Sequence, residues 1–343
     1  MKQASRAKHM DDITRKVSEM YEKFPYPSPQ AHSRKLRELA NLLSIFSMEV
    51  GYELRGKRVL DAGTGTGHRL IEAAATFKGT NFVAVDVCEA PLSIARQAAA
   101  NEGVHNIEFR LFDLMEGEKK LGTFDIVLGM GVIHHLADPA RGLRNLVGNL
   151  AEDGILFLYV YGKHGSHERI RRKQIVSLLL DGDQQNFERG IRLVKNLGFD
   201  SFEYGWNLNF DDEESRNALI VDAYLNVNES LFDVDTLFGL MQSSGLDGFL
   251  VYGLALDQRG YLFESRLSSN SHPLLQRIDV SARLDSPLLR ESYEKLSLRD
   301  KYRVADLLFQ PSGYTVMGFR TGALRYFSVD SRILANAFFG AAS

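Results

Sequence analysis

The stretch Val59-Leu60-Asp61-Ala62-Gly63-Thr64-Gly65-Thr66-Gly67-His68 decides how this chain folds. It reads as a buried strand that ends in the Asp61 carboxylate, a turn with glycines at alternate positions, and the start of a helix. Such a turn is expected to bring backbone N–H groups and a helix N-terminus against the polar edge of a nucleotide-like ligand. A dinucleotide site wants G-x-G-x-x-G/A. Counted from Gly63, the pattern places His68 at its last position, where an imidazole would hold the helix off the strand.

The following strands repeat the arrangement. Asn81-Phe82-Val83-Ala84-Val85-Asp86-Val87 ends in an acid nineteen positions after Gly67. A carboxylate there can accept hydrogen bonds from both hydroxyls of a ribose. Ile107–Leu114 carries Asp113 at its end, and Phe124-Asp125-Ile126-Val127-Leu128-Gly129-Met130 leads into Gly131-Val132-Ile133-His134-His135-Leu136. Each acid alone is compatible with a helix cap or a solvated strand end; their order along the chain is the signal.

D-x-G-x-G-x-G at Asp61–Gly67 resembles motif I of the class I S-adenosylmethionine (SAM) dependent methyltransferases, and Phe124–Val127 with His134-His135-Leu136 is similar to their motif IV. The resemblance covers residues 55–162 strongly and the remainder loosely. It implies a three-layer α/β/α Rossmann-like seven-stranded sheet, its last strand antiparallel, with SAM as cofactor. It places Asp61 by the methionine ammonium, Asp86 on the ribose and Asp113 by the adenine amino group. Gly63, Thr64, Gly65, Gly67, Val87, Leu114, Gly129 and Met130 complete the expected cofactor set. Asp61 suits a cationic amino acid moiety and would repel a pyrophosphate.

Alternating strands and helices between 57 and 162 predict a parallel sheet with right-handed crossovers. Apolar spacing predicts helices over 9–24, 33–50, 69–77, 91–102 and 138–150, with strand 154–161 after them. A helical stretch is expected over 165–200, a helix over 233–244, a strand over 248–253, a helical segment near 288–309 and a final strand over 314–320. The chain thus divides into an N-terminal helical cap (1–54), the cofactor-binding core (55–162), a helical stretch roofing the substrate (163–232) and a C-terminal part of the sheet (233–343) carrying an insertion over 255–312.

In open parallel sheets, ligands sit beyond the C-terminal strand ends. The segments able to roof that space supply the candidate substrate contacts. Tyr21 and Tyr26 come from Tyr21-Glu22-Lys23-Phe24-Pro25-Tyr26-Pro27, similar to the YxxxPYP element of some bacterial methyltransferases of unassigned substrate. Tyr161, Trp206, Tyr224 and Asn226 join them. A lid and a proline-stiffened strap are equally consistent with the Tyr-Pro run. His134 and His135 are the candidate general bases, since an imidazole titrates near neutrality. One could instead cap backbone groups and the other pack in the loop. An N/D-P-P-Y/F/W tetrapeptide, which resembles the signature of DNA adenine and protein glutamine methyltransferases, does not follow the fourth strand.

The 343 residues, 44% hydrophobic and 25% charged, are ordinary for a globular enzyme. The net charge of −3 gives no general pull toward nucleic acid or anionic membrane. Lys163–Lys173 is locally basic and could hold a phosphate, a carboxylate or RNA, or be the solvated face of a helix. His164, His167 and Glu168 have a suggestive spacing but no further ligand cluster, so no metal is expected. Cys88, alone, excludes an internal disulfide and reads as a small buried residue. No signal peptide or membrane span is apparent, which makes the cytoplasm the expected location. The expected activity is methyl transfer to N, O or C of a small metabolite, amino acid-like or a natural product. A protein or RNA methyltransferase and an inactive SAM- or S-adenosylhomocysteine-binding regulator are the alternatives. Neither membrane nor nucleic acid is expected as a partner, and homodimer formation is left open.

Overall fold

The computed structural model describes residues 10–29, 37–117, 121–200, 212–256, 259–263, 276–278, 280 and 283–326. A helix, α1 (Asp12–Lys23), opens the described chain, capped by the Asp11 side chain, which accepts from Thr14 N at 2.8 Å. The Phe24–Pro29 strap follows, with a cis Tyr26–Pro27 peptide. Next come α2 (Glu38–Val50), β1 (Arg58–Ala62), α3 (His68–Thr76), β2 (Asn81–Asp86), α4 (Glu89–Asn101), β3 (Ile107–Leu111), β4 (Phe124–Met130), α5 (Pro139–Val147) and β5 (Leu150–Tyr161). Strands β1 to β5 are parallel, in the order 3-2-1-4-5.

The rest of the chain alternates between roof and sheet. Helices α6 (His167–Leu179), α7 (Phe187–Asn196) and α8 (Glu213–Ile220) come first, α8 running on into a single wide turn, Val221–Leu225, with π-type hydrogen bonding. Then follow α9 (Val234–Gln242), β6 (Gly248–Leu256), β7 (Arg259–Phe263), β8 (Gln276–Ile278), α10 (Pro287–Glu294), α11 (Leu298–Phe309) and β9 (Gly313–Phe319). β9 inserts antiparallel between β5 and β6, completing the expected seven-stranded core. The insertion adds β7 and β8 at the β6 edge, so the sheet has nine strands among the described residues.

Alternation along the strands builds the three layers. Val59, Phe82, Ile126 and Phe157 face α2, α3 and α4, while Leu60, Val83, Val127 and Leu158 face α5, α9 and α11. Each such fully buried side chain contributes about 1.5–3 kcal/mol. A third apolar cluster joins Met20 of α1 to Val176, Ile191 and Ile220 of the roof helices. The helical stretch expected over 165–200 is broken at Asp181 and Gly182, both with positive φ, and α7 restarts on the Asn186 cap. Likewise Ser297 caps α11 and splits the segment expected near 288–309 into two helices.

Candidate functional site

The C-terminal ends of β1, β2, β4 and β5 open into one cavity of about 230 Å³, closed over by α1, the strap and the turn after α8. The glycine turn forms its floor, for reasons different from those expected. Gly63 N and Thr64 N both donate to the Val85 carbonyl (2.8 and 3.0 Å), Gly65 N donates to Asp86 Oδ2 (2.8 Å) and Gly67 N to the Thr64 carbonyl. These donors are consumed within the protein, so they form no anion cradle. The glycines are required by conformation and contact: all three have positive φ. A Cβ on Gly63 would meet Val132 at 2.6 Å, and one on Gly67 would meet Ala95 at 2.8 Å.

Three carboxylates at or just beyond strand ends line the floor of the same cavity. Asp61, 6% exposed, is pushed up to about 6 by burial, with the Asp86 charge adding and Thr64 and Arg69 opposing. Asp86 is raised by burial, against its hydrogen bonds from Cys88 N and Gly65 N. Asp113 accepts from Met115 N at 2.8 Å and is buried. A buried carboxylate is stabilised by cations and hydrogen-bond donors. The ligand that fits this floor is therefore rich in both.

Beyond Met130 the cavity changes character. Tyr21, Tyr26, Tyr159 and Tyr161 line it together with His135, Asp222 and Arg169. Loss of bulk water raises all four phenols, Tyr159 to about 12, so they are neutral at physiological pH. The His135 ring packs edge-on to Tyr21 (centroids 6.3 Å apart), and its Nδ1 lies 3.0 Å from the Asn228 carbonyl. Burial lowers its imidazole; Asp222 and Glu229 act in the opposite sense and Lys173 with the burial. The Tyr21 hydroxyl donates to Asp222 (2.7 Å) and accepts from the Asn226 amide (3.2 Å). Arg169 lies over the Tyr161 ring at 5.0 Å and reaches Glu229 and the Ala223 carbonyl.

Of the residues singled out in the sequence, Asp61, Gly63, Thr64, Gly65, Asp86, Val87, Asp113, Leu114, Met130, His135, Tyr21, Tyr26 and Tyr161 line the cavity. Gly67 and Gly129 do not. Gly129 instead admits Leu158, 2.7 Å from where its Cβ would be. His134 is not among the residues that line the cavity: its ring is wholly buried, packed on Tyr161 at 4.0 Å, and neither nitrogen has a hydrogen-bond partner among the described residues. Desolvation lowers it well below the usual imidazole range. Tyr224 also stands back from the cavity, its hydroxyl donating to the Phe199 carbonyl at 3.1 Å. Asn226 acts through Tyr21, and Trp206 lies outside the described residues. Within the basic run, Arg171 and Arg172 pair with Glu168, and Arg169 and Lys173 with Glu229.

Arg69, Tyr159 and Asp222 line the cavity without having been named as candidate site residues, and Arg169 had been read only as part of the basic run 163–173. Tyr159 was within reach of sequence reasoning, two positions before Tyr161 and so on the same face of its strand. That Asp222 and Arg169 reach the cavity depends on how the roof helices dock, which a local pattern does not give.

Residues 30–201 match the family profile described as a methyltransferase domain. An uncharacterized protein of Synechococcus sp. is 27% identical, over 87% of this chain and 69% of its own length. The ubiquinone biosynthesis O-methyltransferase of Acinetobacter baylyi is 39% identical over 88 residues, which are 25% of this chain and 36% of that enzyme. Among solved structures, PKMT2 from Rickettsia typhi in complex with AdoHcy superposes with a TM-score of 0.56 at 13% identity, covering 84% of this chain and 54% of that one. At that identity the likeness is one of fold.

Proposed function

This chain belongs to the methyltransferase domain family, and we propose that it transfers a methyl group from SAM to a small-molecule acceptor. The observation that carries this reading is the set of three carboxylates, Asp61, Asp86 and Asp113, at successive strand ends of one cavity that continues into a chamber of neutral phenols around His135. Asp61 fits the α-ammonium of the cofactor, Asp86 its ribose hydroxyls and Asp113 the adenine amino group. The donor-rich chemistry of SAM matches a floor made of acceptors.

When bound, SAM supplies an electrophilic methyl on a sulfonium. The protein's part is to place the acceptor and to remove water and a proton. The rings of Tyr21, Tyr26, Tyr159 and Tyr161 exclude water from the chamber. His135 takes the acceptor's proton: its Nδ1–H is committed to a carbonyl, so Nε2 carries the lone pair. His134 stands behind His135 and Tyr161 and does not line the cavity. The pairing of the basic run with Glu168 and Glu229 leaves little free cationic surface there for RNA.

Incubation with methyl-labelled SAM and a size-fractionated cell extract tests the reading. Label in the small-molecule fraction supports it, and mass spectrometry of that product names the acceptor. Label in protein or RNA replaces it with a macromolecular acceptor. S-adenosylhomocysteine binding without any transfer makes the chain a regulator.

A further inference from the structure

His135 is gripped at two points by one residue 93 positions further along the chain. Its ring Nδ1 lies 3.0 Å from the Asn228 carbonyl, and its main-chain carbonyl accepts from the Asn228 side-chain amide at 3.2 Å. The same amide donates to the Leu136 carbonyl at 2.9 Å. The 3₁₀ turn over Ile133–His135 is short, and the carbonyls at its end have no partner within the turn. Asn228 supplies that partner and holds the ring as well.

Asn228 is itself anchored. Its N–H donates to Asn226 Oδ1 at 3.1 Å, and the buried Asn226 amide donates to the Tyr21 hydroxyl at 3.2 Å. Two residues on, Ser230 N donates to the His134 carbonyl at 2.8 Å. Residues 226–230 are thereby stitched to the histidine turn on one side and to α1 on the other. Neither Asn226 nor Asn228 lines the cavity, so each acts through another residue.

A carbonyl oxygen only accepts, so the ring contact requires the hydrogen on Nδ1. The hydrogen bond made by one imidazole nitrogen sets the protonation of the other. The edge contacts of the ring with Tyr21 and Tyr161 restrict its plane but do not distinguish its nitrogens. Only Asn228 does that. With the hydrogen on Nε2 instead, the nitrogen left for an acceptor has no lone pair and cannot take a proton.

We propose that Asn228 is the positioning residue of His135: it fixes the ring as the Nδ1–H tautomer, so that Nε2 meets the acceptor with its lone pair. The use of that lone pair as a base rests on the methyl-transfer reading above; the grip on the ring does not.

The test reads the ring directly, by nitrogen NMR on the full chain isotopically labelled at its histidine rings. Protonated and bare ring nitrogens differ in chemical shift, and the His135 signals are those lost in His135→Gln. We expect Nδ1 protonated and Nε2 bare in the wild type at mildly alkaline pH. Asn228→Ala should bring in the Nε2–H form. It should also slow label transfer from methyl-labelled SAM into the small-molecule fraction of a cell extract by about tenfold to a hundredfold, the cost of a misplaced catalytic group. S-adenosylhomocysteine affinity should not change. Asn228→Leu keeps the bulk without the amide, is expected to behave the same way, and replaces the alanine variant if that does not fold; if neither folds, the wild-type tautomer decides. An Nε2–H ring in the wild type overturns the proposal. So does an unaltered tautomer in a folded variant, even a slow one, because loss of rate alone is what a packing role would give. The expected tautomers with no transfer by the wild type support the grip and overturn the methyl-transfer reading.

Discussion

The carbonyl oxygen of Tyr26 stands 2.5 Å from where a β-carbon on Gly65 would begin. The strap therefore rests directly on the glycine turn, held also by Thr66 Oγ1 donating to the Pro27 carbonyl at 2.7 Å. Gly65 further needs φ near +56°. Gly65→Ala should lower stability by about 2 kcal/mol through crowding and backbone strain, and should weaken S-adenosylhomocysteine binding by displacing the strap. Urea unfolding and calorimetry read the two effects; an unchanged unfolding midpoint would count against this contact.

Asp86 works in two directions, bracing the Gly65 and Cys88 amides and facing the cavity. Asp86→Ala should weaken cofactor binding by about 1.5–3 kcal/mol, the loss expected when hydrogen bonds to a charged group disappear. Some thermal stability should go with it. An unaltered dissociation constant for S-adenosylhomocysteine would sink the cofactor assignment.

The raised Asp61 carboxyl gives cofactor binding a pH dependence. An ammonium needs the ionised form, which is complete above the folded-state value of about 6 and is lost as pH falls through it. Affinity should be level between pH 7 and 8 and fall by about tenfold per unit below 6. Asp61→Asn should bind weakly at every pH with that slope removed. A wild-type profile flat down to pH 5 would show that Asp61 meets no cation.

Tyr26→Phe removes a hydroxyl from the chamber and leaves the ring and the strap. The melting temperature should hold while methyl transfer slows. Wild-type turnover would reduce the strap to a packing element.

The neighbouring histidines should separate cleanly. His135→Gln should retain S-adenosylhomocysteine binding and lose methyl transfer. His134→Phe keeps the packing on Tyr161 and deletes two buried nitrogens that have no partner among the described residues. It should transfer methyl normally and be as stable as the wild type or more stable by up to about 1 kcal/mol. Transfer abolished in a folded His134→Phe would reverse the two roles.

What was legible in the sequence follows the range of the interactions involved. Asp61, Asp86 and Asp113 were readable because a strand end fixes its acid relative to the sheet, and the sheet order follows from short crossovers. The glycine turn was found, but its role was misjudged: strand pairing places the Val85 carbonyl and the Asp86 carboxylate under the turn, where they take its N–H groups. His134 and His135 are adjacent in sequence and cannot be told apart by pattern, since a short 3₁₀ turn over Ile133–His135 sends one inward and the other to the cavity. Asp222 and Arg169 acquire meaning only when α1, α6 and α8 pack together around Met20, Val176 and Ile220.

The Tyr21–Asp222 bond spans 201 positions, and this sets an order of assembly during synthesis. A nascent chain that has just passed Tyr161 already contains every strand-end acid of the cavity floor, together with both histidines. It lacks Arg169, Asp222 and Asn226, so α1 emerges with its tyrosine facing no carboxylate. The binding floor can be complete while the chamber that would choose the acceptor is still being made.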